Sequence, residues 1–193
     1  MNRVLTLALV AGALALPAAA RAQQKGAPIS AAAKIANAMS AAPASIAAQA
    51  TIMDWPASPK AKPTVLRAGT NGWVCYPKAP SKDPQANDPM CLDKTWQTWA
   101  EAYMAKKSPL LTTGGIAYML APGGAKGSGA DPFADKETPT NDWGFDGPHM
   151  MILYPNAAAY KGLPTKRTSG PYVMWAGTPW QHVMAPVATG KQQ

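Results

Sequence analysis

Four apolar runs in the C-terminal half, residues 116–120, 149–154, 172–176 and 182–187, are five or six residues long, and each is fenced by glycine or proline. Runs this short do not complete an amphipathic helix, and the fences stop one at either end. They are predicted strands. The run at 149–154 organises the rest: Asp146-Gly147-Pro148 opens a turn, and His149 sits at the mouth of the strand. A further strand is expected at 64–67 or 72–76. Gly147-Pro148-His149-Met150-Met151 parallels Gly170-Pro171-Tyr172-Val173-Met174, so the two strands entered by a Gly-Pro corner are expected as neighbours.

One helix is written clearly ahead of these strands. Asp93 suits an N-cap, and Trp96, Trp99, Ala100, Tyr103 and Met104 recur on one helical face. Lys106 and Lys107 suit the C-terminal end of the dipole, and Pro109 ends the helix. The Trp/Tyr stripe reads as packing on the sheet in preference to a stacking platform for a ligand. The expected fold is α+β: a small, mainly antiparallel sheet of four to six strands with this helix on one face, preceded by an Ala-rich helical or disordered segment.

The N-terminus sets the compartment. Arg3 precedes an apolar run from Val4 to Leu16, and Ala20-Arg21-Ala22 offers a cleavage site. The run is too short to span a bilayer of ~30 Å. It reads as a signal peptide over residues 1–22, cut after Ala22, with a mature chain that is periplasmic or secreted and has no transmembrane segment. Residues 23–63 form an Ala/Pro-rich N-terminal segment and linker, with one helix capped by Ser30 and ended by Pro43 and a second short one over 45–53. A single globular domain is expected over 64–190. The formal charge of +8 falls when Arg3 and Arg21 leave with the leader. The remaining cations are dispersed, not gathered into a stripe, which excludes nucleic acid as the expected partner.

Cys75 and Cys91 are the only cysteines, and four prolines lie between them. In an oxidising compartment this pair reads as a disulfide closing a surface loop. Glycines 123, 124, 127 and 129 do not make a phosphate loop, because no Gly-Lys-Ser/Thr end follows. The long loop that contains them is expected to be ordered in its second half, over 140–145.

The pieces 115–120 (GIAYML), 131–134 (DPFA), 147–153 (GPHMMIL) and 172–187 (YVMWAGTPWQHVMAPV) resemble those of a group of exported bacterial proteins of unknown function. The resemblance runs from Gly72 to Val187, implies export and a single domain, and assigns no activity.

Two chemistries compete at the strand mouths. His149 and Met151 share one strand face, as do His182 and Met184. Imidazole with thioether is a donor set that copper accepts, and zinc is the other metal considered. His149 with Asp146 or Asp142 is the hydrolase alternative, although no nucleophile elbow is present and the enzyme question stays open. The leading expectation is a non-catalytic exported protein that binds a small ligand or a metal at the His149/His182 end. A cell-envelope interaction module presenting tryptophans is the third reading.

Overall fold

The computed structural model describes residues 29–187 apart from 59–60, 82, 84 and 168–169. The expected leader, its cleavage point and residues 188–190 lie outside the described residues. The architecture is α+β. An eight-stranded, mainly antiparallel sheet runs in the order β2 (Thr64–Arg67), β1 (Thr51–Asp54), β3 (Val74–Tyr76), β4 (Met90–Leu92), β5 (Gly115–Met119), β8 (His149–Leu153), β10 (His182–Pro186) and β9 (Tyr172–Met174). The two missing numbers, β6 (Ala125–Ser128) and β7 (Trp143–Asp146), form a separate hairpin.

Period-two alternation gives the sheet two different faces. Leu92, Ala117, Met151, Leu153, Met174 and Met184 point to one side, where the helix α3 (Lys94–Met104) lays Trp96 and Trp99 on them. Cys75 and Cys91 point to the other side and meet the helix α1 (Ala31–Met39) and Ile52. Further along that second face, Val173 and Val183 pack on Tyr160 from the 3-10 turn Ala157–Tyr160.

Asp93 caps α3 as its side chain accepts from the Trp96 N–H at 2.8 Å, and its other oxygen accepts from Ile116 N–H, which ties the helix start to β5. Trp96 and Trp99 are buried, whereas Met104, expected on the same stripe, is exposed.

Three expectations are revised. The sheet is wider than four to six strands, because β2 and β3 both form where one or the other was expected, and β1 and β4 join them. Residues 45–53 were expected as a helix, but α2 (Ala44–Ala47) is one turn long and Thr51–Asp54 is a strand. β1 pairs antiparallel with β2 and parallel with β3, so the sheet reaches back past Thr64 into the segment expected as a linker. A non-local pairing on both edges outweighs the weak helical preference of an Ala-rich stretch. Finally, β8 and β9 are not neighbours: β10 lies between them and pairs antiparallel with both.

Cys75 and Cys91 are disulfide-bonded. The bond closes the Pro-rich excursion between them, as expected, but does so from inside the sheet. It joins directly opposed residues of β3 and β4, and both half-cystines are fully buried. The hairpin β6–β7 is the other surprise, since both of its halves are ordered. Its base depends on Gly124, at φ +153°, where a Cβ would run into the Asp146 carbonyl.

Candidate functional site

Between α3 and the sheet lies a cleft of about 1100 Å³. Trp96, Trp99 and Tyr103 form its helical wall, the hairpin contributes residues 125–128 and Asp146, and the sheet floor carries His149, Met151, Met184 and His182. Its size is just above the upper end of small-molecule sites, which are mostly apolar with a few placed polar groups. A smaller hollow of about 350 Å³ lies within the loop at 130–141.

The floor follows from strand register. β8 buries His149, Met151 and Leu153 on one face, and β10 pairs Met184 with Met151 and Pro186 with His149. The histidines therefore stand at opposite ends of the Met151–Met184 pair, each two residues along its own strand. Both line the same cleft.

Each ring is held by a carbonyl two residues upstream. His149 Nδ1 lies 2.6 Å from Gly147 O, and His182 Nδ1 lies 3.0 Å from Trp180 O. A carbonyl oxygen only accepts, so each Nδ1 carries the proton and each neutral ring keeps a lone pair on Nε2. Burial holds the His149 ring below its ordinary pKa, against the raising influence of the Gly147 carbonyl and Asp146. Burial pushes His182 down to about 4.

The two histidines differ in their surroundings. His182 stands perpendicular to three indoles, with ring centroids 5.2 Å from Trp96, 5.5 Å from Trp99 and 5.0 Å from Trp175. It is boxed in by aromatic packing. His149 Nε2 is buried and has no hydrogen-bond partner among the described residues, and the same holds for the indole Nε1 of Trp96 and of Trp99. Three unpartnered polar atoms thus lie on residues lining one cleft.

Asp146 also lines the cleft, but its carboxylate is engaged. Arg167 donates to it from Nε at 3.0 Å and from a terminal nitrogen at 2.7 Å, and the Tyr172 hydroxyl donates at 2.6 Å. Burial, and after it that carboxylate, hold the Tyr172 phenol well above its ordinary pKa. Asp142 does not line the cleft. Its side chain accepts from the Arg167 backbone N–H, and its carbonyl accepts from the Arg167 side chain. Among the described residues no hydrogen bond joins either carboxylate to a histidine. Nor does any group of three or more His, Cys, Asp or Glu side chains there form a metal-holding cluster.

Sequence reasoning missed Trp175 and Arg167. Trp175 adopts φ +56°, a left-handed conformation that is rare for a bulky residue. Its N–H donates to Gly129 O and its indole N–H to Ser128 O, so the β6–β7 hairpin holds the strained residue in place. The ring then stacks parallel to Tyr103 at 5.5 Å and to Trp99 at 6.0 Å. The Gly177 that follows shortly was a turn signal, but nothing local announces a left-handed tryptophan.

No helix among the described residues is long and apolar enough to cross a membrane. Comparison with known proteins leaves the geometry to speak alone: no protein-family model, no curated protein and no solved structure matches this chain.

Proposed function

We propose that this is an exported, non-catalytic binding protein that holds a small, largely apolar molecule in the cleft between α3 and the sheet. The observation that carries the reading is the set of three buried, unpartnered nitrogens on Trp96, Trp99 and His149. Leaving such a group unsatisfied costs about 1–3 kcal/mol. Two are indole donors and the third is an imidazole lone pair. A ligand with an apolar body and a hydroxyl would meet either need, accepting from an indole or donating to His149 Nε2. The methionine and tryptophan walls would cover its apolar part.

Export rests on the leader signals in residues 1–22, on the disulfide, and on the resemblance to exported proteins. A hydrolase is disfavoured because Asp146 is engaged by Arg167 and Tyr172 and not by His149.

The test is a thermal-shift and tryptophan-fluorescence screen of the mature chain. The panel pairs aromatic and aliphatic alcohols with the matching hydrocarbons. Ligand at a hundred times its Kd stabilises a protein by about 2.7 kcal/mol, so binders should raise Tm visibly. Alcohols should outperform hydrocarbons, and Trp99→Phe, which keeps the ring body and removes a donor, should narrow that gap. A panel without a single binder, or one in which hydrocarbons bind as well as alcohols, would discard the reading.

A further inference from the structure

We propose that the floor of this cleft binds one Cu(I) ion through His149 Nε2 and the thioether sulfurs of Met151 and Met184. The inference rests on the cleft being a binding site, but not on the apolar ligand.

Seven of the chain's ten methionines line the cleft. Their placement around His149 comes from the ladder. Met119 of β5 is directly opposite His149, Met151 is two residues along on the same face of β8, and Met184 pairs with Met151. Since Pro186 is the direct partner of His149 on β10, Met184 is its diagonal neighbour. Directly opposed residues have Cβ atoms about 5 Å apart and diagonal ones about 7–8 Å apart. Methionine has three rotatable side-chain bonds and reaches across such gaps. Met151 and Met184 can therefore bring sulfur to a point in front of the imidazole, with Met119 as a third donor.

Methionine also fills gaps in ordinary cores. A gap-filling role leaves His149 unexplained. A core histidine is satisfied at both nitrogens, whereas here Nδ1 is satisfied by Gly147 O and Nε2 is buried without a partner. A ring that donates its remote N–H to a backbone carbonyl and presents the other nitrogen as a lone pair is the arrangement of a metal-ligating histidine.

The donor types select the ion. Cys75 and Cys91 are joined to each other, and Asp146 is taken by Arg167 and Tyr172. One imidazole with two or three thioethers is a soft set, which suits Cu(I) and offers little to zinc, calcium or magnesium. His182 is not required, because three indoles box its ring.

The experiment uses the mature chain in anaerobic buffer, with Cu(I) supplied from a chromophoric chelator that reports on transfer. The wild type should withdraw one equivalent. Met151→Leu with Met184→Leu conserves volume and removes both sulfurs. It should keep its Tm and lose Cu(I) affinity at least tenfold. His149→Gln should lose it as well, and Ag(I), which is redox-inert, should follow the same ranking. Failure of the wild type to withdraw Cu(I), equal affinity in the double Leu variant, or displacement of Cu(I) by an equal concentration of Zn(II) would each overturn the site. A wild type that binds the alcohol panel but no Cu(I) removes this site alone, while one that binds neither removes the cleft reading with it.

Discussion

Arg167 grips Asp146 with two nitrogens, at 3.0 and 2.7 Å. The same guanidinium donates to the backbone carbonyl of Asp142 at 2.6 Å. One side chain therefore closes both ends of β7 and holds the hairpin that in turn holds Trp175. The carboxylate raises the Arg167 pKa further above its ordinary value, and the pair is largely sheltered from solvent.

Arg167→Ala should therefore cost about 2–4 kcal/mol, because it strands the Asp146 carboxylate beside the Tyr172 hydroxyl. Urea denaturation measures the loss. A change below about 0.5 kcal/mol would mean the pair behaves as an exposed surface ion pair. The same variant should show altered near-ultraviolet circular dichroism, because Trp175 depends on the hairpin for its conformation.

Trp99→Ala removes a ring that stacks at 5.3 Å on Tyr103 and at 6.0 Å on Trp175 and is buried against the sheet. The expected cost is about 3–5 kcal/mol. Equal stability of the variant and the parent would mean that α3 is held by its cap and termini and not by this face.

The disulfide gives a third outcome. A closed loop of this length contributes roughly 3 kcal/mol in the chain-entropy picture. Cys75→Ala with Cys91→Ala should lower stability by about that amount under oxidising conditions and have the same Tm with and without reductant. Because both half-cystines are buried on paired strands, wild-type protein should resist mild reductant until it is partly unfolded. Rapid reduction of the native protein, followed by labelling of free thiols, would contradict this.

What could be read in advance follows the range of the interactions involved. α3 was legible from its Asp93 cap and its i, i+3, i+4 stripe because both are local; its end was not, since the helix closes at Met104, with Lys106 left-handed at φ 54°, ahead of the expected stop at Pro109 and with no basic residue in its last turn. The strands around Ala117, Met151, Val173 and Val183 were legible because Gly and Pro fence them, with ends misplaced by a residue or two. β1 was not: Thr51–Asp54 is four residues long and becomes a strand only through partners near Arg67 and Val74. The hairpin strand Ala125–Ser128 carries almost no apolar pattern, and its partner begins at Trp143. The cleft floor was legible in kind. Alternation placed His149 with Met151 and His182 with Met184, but only the register puts the two methionines opposite one another. The preference of Asp146 for Arg167 over His149 was invisible, because Arg167 lies 21 residues away in sequence.

The pH dependence of stability follows from the buried rings. Burial lowers the folded-state pKa of His182 from 6.5 to about 4, and that of His149 in the same direction. A histidine with a depressed folded pKa is neutral in the native chain while the unfolded chain binds a proton. Between pH 6.5 and about 4 the unfolded state therefore holds more protons, and stability rises with pH through that window. The contribution is fully present above pH 6.5, is lost progressively as the pH falls, and has saturated below about 4. For His182 the loss is on the order of 3 kcal/mol. Denaturation midpoints at pH 7, 5.5 and 4.5 should fall in that order. In His182→Phe, which keeps an aromatic ring among Trp96, Trp99 and Trp175 but cannot titrate, the decline over this window should be shallower than in the parent. A parent whose stability is flat from pH 7 to 4.5, or a Phe variant that declines as steeply, would show that the ring takes up protons in the folded chain as readily as in the unfolded one.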